Sequence, residues 1–382
     1  GGTSVSNTVT VRWNSAGNHT VTVRYTNEGG CTTVIPSVYN VKVNPLPIPT
    51  ISGATIVCTG SSGITYSTEA GMSNYNWIVS SGGVITTGGT LTDATVTVTW
   101  TGVGAQTVSV NYSNANGCQA ATSTVKNVTV NPLPNPEISG LTTSCVGSTQ
   151  VYSTTTGMSN YLWNVTGGTI TAGGGTSDYT VTVRWNTSGT QSVSLNYTNS
   201  DGCSAVSPKI HNVTVNPAPV PTLTGLATVC KGTIQYTYTT EAGMSGYTWS
   251  VSSGGAIVSG GTSTDRTITI QWNSAGNQQV SVGYSNSSGC PSVIPTVLSV
   301  WVNDPISPTC PADLIKCVNA ASFALSGGIP TGGVYSGPGV SGGNFNPATA
   351  GLGVHTISYT APDVNGCSSV CTFTIEVVPR PI

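Results

Sequence analysis

The stretch TVTVTWTGVGAQTVSVNYSNANGC, residues 95–118, sets the reading of the whole chain. Apolar residues alternate with polar ones from Thr95 to Trp100 and again from Gln106 to Tyr112. A period of two places one set of side chains in a core and the other in water, which marks half-buried β-strands. Gly102 and Gly104 separate the two runs, and Asn116-Gly117 turns the chain just before Cys118. No segment shows a convincing 3.6-residue period, so the fold class is all-β.

Shifted by roughly 86 residues, the chain aligns with itself at nearly every landmark. Cys58, Cys145 and Cys230 open successive units, followed by Gly71-Met72-Ser73, Gly157-Met158-Ser159 and Gly243-Met244-Ser245. Each leads into a Tyr-x-Trp segment ending at Trp77, Trp163 or Trp249, then to a second tryptophan at Trp100, Trp185 or Trp272. The units close on Tyr112 and Cys118, Tyr197 and Cys203, or Tyr284 and Cys290. Asn44-Pro45-Leu46-Pro47, Asn131-Pro132-Leu133-Pro134 and Asn216-Pro217-Ala218-Pro219 separate them, because proline fixes φ and removes the ladder donor. The expected domains are the C-terminal half of a repeat at 1–44, full repeats at 45–131, 132–216 and 217–303, and a divergent unit at 304–382. Gly1 to Trp13 matches Gly260 to Trp272, and Cys31 matches Cys118. On this reading the chain is a window from a longer polypeptide, with the partner of Cys31 in the missing half-repeat.

Asp, Glu, Lys and Arg make up 6% of the 382 residues and the net charge is −2, so there is no basic stripe for phosphates and no nucleic-acid partner. No stretch approaches the ~18 apolar residues of a membrane span, so no direct membrane insertion is expected. Of eleven cysteines, Cys118, Cys203, Cys290 and Cys367 follow Asn-Gly, Asp-Gly or Ser-Gly turns, and there is no CxxC pair and no histidine at ligand spacing. That pattern reads as disulfides made in an oxidising compartment rather than as metal sites.

Seven short strands in about 85 residues, a central tryptophan and cysteines some sixty residues apart point to an immunoglobulin-like β-sandwich. Repeated in tandem, such sandwiches stack as an extended rod. The expected disulfides are Cys58–Cys118, Cys145–Cys203 and Cys230–Cys290, each closing its own unit and worth roughly 4 kcal/mol in the chain-entropy model. In the last unit Cys310–Cys371 is nested around Cys317–Cys367, one of three connectivities open to four cysteines.

Catalytic chemistry finds no anchor. His19, His211 and His355 occupy unrelated repeat positions with no acidic, Ser or Cys partner at a recurring offset. Asp93, Asp178 and Asp265 do recur, seven residues before the second tryptophan, and read as loop-bracing carboxylates, with calcium ligation as the alternative. Glu69 and Glu241 have Thr155 as their counterpart, which weakens a calcium reading. Gly173-Gly174-Gly175 reads as a hairpin turn, since no Lys-Ser or Lys-Thr follows. The tryptophans and tyrosines could stack sugars, but their strand positions favour core packing. No catalytic, cofactor or metal residue is therefore assigned, and the chain is read as no enzyme.

The Tyr-x-Trp segment, the Gly-rich turn and the strand Gly276 to Cys290 together resemble PKD-like domains of Bacteroidetes surface proteins over residues 1 to about 303. The Trp-Asp-Phe-Gly-Asp-Gly signature of that family is absent, since Trp77 is followed by Ile-Val-Ser-Ser-Gly-Gly. Thr309-Cys310-Pro311 and Gly332 to Val340 resemble the Ig-like or HYR-like repeats of the same proteins. The resemblance implies the stalk of a long cell-surface adhesin, of the gliding-motility kind, exported by the type IX pathway and located outside the cell. The alternative is a set of accessory modules that bind carbohydrate or protein in a large secreted protein. Expected partners are neighbouring repeats of the same chain, surface polysaccharide or other surface proteins.

Overall fold

The computed structural model describes residues 2–362 and 366–381. Residues 1–44 contribute one antiparallel hairpin, β1 (Gly17–Val23) and β2 (Ser37–Val43). The first full unit has β3 (Ile56–Cys58), β4 (Ile64–Ser67), β5 (Ser73–Val79), β6 (Gly83–Gly88), β7 (Thr95–Trp100), β8 (Gly104–Ser113) and β9 (Thr124–Asn131). The second repeats them as β10 (Thr143–Cys145), β11 (Thr149–Ser153), β12 (Ser159–Thr166), β13 (Gly168–Gly173), β14 (Thr180–Trp185), β15 (Gly189–Thr198) and β16 (Lys209–Asn216). The third has β17 (Thr228–Cys230), β18 (Gln235–Thr239), β19 (Ser245–Val251), β20 (Gly255–Gly260), β21 (Thr267–Trp272), β22 (Gly276–Ser285) and β23 (Thr296–Asn303).

Each full unit is a two-sheet sandwich. In the first, a four-stranded sheet runs β3-β9-β8-β5 and a three-stranded one β4-β7-β6, and both later repeats keep that order. The short opening strand lies parallel to the last one, with Cys58 opposite Asn131, Cys145 opposite Asn216 and Cys230 opposite Asn303. All other pairings in these units are antiparallel.

The last unit keeps this topology despite its divergent sequence. It has β24 (Leu314–Cys317), β25 (Phe323–Ala324), β26 (Val334–Ser336), β27 (Val340–Ser341), β28 (Asn344–Phe345), a one-turn helix α1 (Pro347–Ala350), β29 (Gly353–Thr360) and β30 (Val370–Val378). Its sheets run β24-β30-β29-β26 and β25-β28-β27, and β24 is again parallel to the final strand. Conservation of order under so different a sequence follows from the shared alternation, since Ile357, Tyr359, Phe373, Ile375 and Val377 fill the inward positions.

The alternation seen in residues 95–118 builds the core. Val96, Val98, Trp100, Val108 and Val110 are fully buried, while the intervening Thr and Ser are partly or largely exposed. Tyr66 meets Trp100 edge-to-face at 6.2 Å between centroids, and its phenol oxygen accepts the Trp100 Nε1–H at 3.2 Å. Tyr152–Trp185 and Tyr238–Trp272 repeat the pair at 6.1 and 6.4 Å. In these units the aromatic pair is fully buried in the core between the two sheets.

In residues 1–44 the segment Thr8 to Trp13, equivalent to β7, forms no strand.

Candidate functional site: the bridged junctions between units

The chemistry of this chain is concentrated where one sandwich meets the next. The expected disulfides within units do not form. Cys58 bonds to Cys203, Cys145 to Cys290 and Cys230 to Cys367, each pair drawn from adjacent units, with Cα atoms 5.7, 5.5 and 5.5 Å apart. The pairings Cys58–Cys118, Cys145–Cys203, Cys230–Cys290 and Cys317–Cys367 are thereby corrected, and Cys118 and Cys317 are free thiols along with Cys31. Among the described residues, Cys310–Cys371 is the one bond that joins cysteines of a single unit.

The reason is polarity. Cys58 sits at the exit pole of its unit, in register with Asn131, the last residue of β9. Cys118 lies in the loop between β8 and β9, at the entry pole. The eight residues of β9 separate those poles by about 25 Å, whereas a disulfide needs Cα atoms within about 7 Å. Cys203 lies in the equivalent loop of the next unit, at its entry pole, and the linker starting at Pro132 brings that pole to Cys58.

An asparagine four residues before Cys118, Cys203 and Cys290 organises this contact. Asn199 Oδ1 accepts the amides of Asp201 and Cys203 at 3.1 and 2.9 Å, while its Nδ2 donates to the Pro132 carbonyl at 3.3 Å. Asn286 does the same for Ser288, Cys290 and Pro217, and Asn114 for Asn116, Cys118 and Pro45. One side chain thus fixes both the cysteine and the first linker proline. The glycine before the cysteine has φ of 76° at Gly117, 79° at Gly202 and 75° at Gly289, a left-handed turn that a β-carbon disfavours. The turn dipeptides beside the cysteines were legible in the sequence. The asparagine pivot was not identified there, although the spacing Asn-x-x-Gly-Cys recurs at 27–31, 114–118, 199–203 and 286–290.

The linker's far side is held by a carboxylate in two units. Glu69 accepts the Thr50 amide at 3.1 Å and the hydroxyls of Thr50, Thr68 and Tyr112 at 2.5, 2.7 and 2.9 Å. Burial raises the Glu69 pKa, but the donors from Thr50 and Thr68 outweigh it and hold the carboxyl down to about 2. Glu241 repeats the arrangement with Thr222 and Thr240, again at about 2. In the middle unit, where Thr155 replaces the glutamate, Lys209 instead pairs with Glu137 at 3.0 Å.

The remaining candidate residues have structural partners. The Asp93, Asp178 and Asp265 carboxylates accept the amides of Thr90, Gly175 and Thr262 at 2.9 to 3.0 Å, and their carbonyls accept the indole N–H of Trp77, Trp163 and Trp249. The Thr90 hydroxyl, as well as its amide, keeps Asp93 below the usual carboxylate range, and Thr262 does so for Asp265. Among the described residues no group of three or more His, Cys, Asp or Glu could hold a metal ion. His19, His211 and His355 each contact a main-chain carbonyl, of Ser15, Leu141 and Gly351. Trp77, Trp100, Trp163, Trp185 and Trp272 are buried and offer no platform for a sugar ring.

Comparison with known proteins fixes the family. A model of the PKD-like domain matches residues 44–127, 131–213 and 216–298. The chain belongs to the PKD-like domain family. Each matched range holds most of one sandwich and stops within its final strand, β9, β16 or β23. No curated protein sequence matches the chain. Among solved structures it is similar to FdeC, an Escherichia coli adhesin, at 16% identity, covering 68% of this chain and 99% of that one with a TM-score of 0.24. Invasin, a bacterial integrin-binding protein, gives 15% identity over 86% of this chain and 79% of that one at a TM-score of 0.26. A Bacteroides ovatus SGBP-B in complex with a mixed-linkage heptasaccharide gives 15% over 74% and 75% at 0.18. Such likenesses concern the sandwich fold and carry no argument about ligands.

Proposed function

We propose that this PKD-like array is a load-bearing stalk segment of an extracellular, surface-anchored adhesin, with the sequence resemblance pointing to a gliding-type adhesin of the type IX pathway. The observation that carries the reading is the double covalent connection at the bridged junctions. Adjacent units are joined once by the linker, Pro-x-Pro at Pro132 and Pro217 and Asn303 to Pro308 at the third junction, and once by a disulfide beside it. The shortest covalent route along the array runs from Pro45 to Cys58, crosses to Cys203, follows the chain to Cys230, crosses to Cys367 and continues to Pro381. That route contains about 57 residues, so it reaches about 200 Å when fully extended, against about 1,200 Å for the same span without disulfides. An array so bridged transmits tension without unravelling its sandwiches.

Its partners in this role are the neighbouring units of the same chain. Binding of surface polysaccharide or of another surface protein is the alternative role, and the burial of the recurring tryptophans weighs against a repeated sugar platform. Single-molecule stretching of residues 1–382 in oxidised and reduced buffer tests the proposal. Short, stiff extension that lengthens several-fold on reduction supports a stalk; equal extension in both buffers rejects it.

A further inference from the structure

Cys317 stands where Cys58, Cys145 and Cys230 stand in the three preceding units. It ends the opening strand β24, which runs parallel to the final strand β30, and it faces Val378 as the other three face Asn131, Asn216 and Asn303. The three equivalents are all bonded to the loop cysteine of the next unit, whereas Cys317 is a free, partly buried thiol. Independently, Val378-Pro379-Arg380-Pro381 follows β30 in the position that Asn131-Pro132-Leu133-Pro134 takes after β9 and Asn216-Pro217-Ala218-Pro219 after β16. The exit pole of the last unit therefore has both connections that a junction uses, a Pro-x-Pro linker and a cysteine beside it.

We infer that Cys317 is a docking site for a further PKD-like unit following Pro381, bonded through the cysteine of that unit's Asn-x-x-Gly-Cys loop. Cys118 is the mirror case, an entry-pole cysteine matching Cys203, Cys290 and Cys367, which takes an opening-strand cysteine from the unit before it. The bond at Cys317 forms by exchange with a small disulfide such as glutathione disulfide. The Cys317 thiolate attacks it and releases one glutathione, and the incoming loop thiolate then displaces the second. Two protons and two electrons leave the protein, and one glutathione disulfide becomes two glutathiones. The inference concerns covalent pairing and holds whether or not the array bears load.

The test extends the full chain by a copy of its own unit. Residues 221–303 are fused after Ile382, which restores the linker register, and the protein is oxidised with glutathione disulfide and mapped without reduction. The expected product joins Cys317 to the copied Cys290, with Cys31, Cys118 and the copied Cys230 alkylated as free thiols. A second graft, residues 136–216, offers the copied Cys203 instead and covers the case in which the first copy does not fold. Cys317→Ser in either graft leaves the copied loop cysteine alkylated. Near-UV circular dichroism reports whether each copied core has formed, and a folded copy with Cys317 still alkylated overturns the inference.

Discussion

Asn199 carries more of the junction than its size suggests, because its two amide atoms serve different units of structure. Oδ1 caps the loop that presents Cys203, and Nδ2 holds the Pro132 carbonyl of the linker. Asn199→Ala removes three hydrogen bonds and is expected to cost about 1–3 kcal/mol in denaturant unfolding of its unit. Asn199→Asp keeps the loop cap, loses the linker contact and should cost less. The Glu69 and Glu241 carboxyls make a second residue-scale prediction. Their pKa in the folded protein is about 2, below the value of 4.5 they have when free. A depressed carboxylate stabilises the fold above the unfolded pKa, and that contribution disappears as pH falls from 4.5 to about 2. Thermal melts should therefore decline through this window. The double variant Glu69→Gln and Glu241→Gln should melt lower at neutral pH and show a flatter acid limb.

At the scale of elements, β7 and β8 are the most legible strands because their period of two is unbroken. β7 and β8 alternate throughout, and their inward residues are fully buried. Trp185 is expected to be the costliest single truncation of its unit. Trp185→Ala should lose about 3–5 kcal/mol, since a fully buried indole packed on Tyr152 leaves a large cavity. Irregularities are less legible. The edge strands β6, β13 and β20 each shift register against their partner near a paired glycine. At Gly173, with φ of 65°, a β-carbon would lie 2.5 Å from the Thr180 carbonyl oxygen. Gly173→Ala should destabilise the second unit measurably by chemical denaturation, whereas alanine at exposed Thr171 should not. The glycines show in the sequence, but the carbonyl that excludes a side chain belongs to a neighbouring strand.

For the whole molecule, the staggered disulfides define overlapping loops. Cys145 lies inside the loop closed by Cys58–Cys203, and Cys230 inside that closed by Cys145–Cys290. A protease cut anywhere between Thr59 and Gly202 is therefore expected to leave both fragments attached under non-reducing conditions and to release them on reduction. The in-unit pairing would let a cut in the second linker separate the chain at once, so non-reducing gel analysis after limited proteolysis discriminates the two. Cys58→Ser should release Cys203 as a titratable thiol and leave Cys118 unaffected.

The sequence by itself determined the all-β, tandem-repeat fold class and which strand residues face the core, because alternation and repetition are local properties that each strand carries. It also placed the three histidines at unrelated repeat positions, with no acidic neighbour at a recurring offset. The tertiary structure alone decided which cysteines meet. Spacing along the chain suggested partners sixty residues apart, yet those residues lie at opposite poles of one sandwich, about a strand's length from each other. Bonds form instead between poles that the linkers bring together, at sequence separations of 145, 145 and 137. Which end of a sandwich a cysteine occupies depends on strand direction and on the parallel pairing of the first and last strands, and neither is written in the residues near that cysteine.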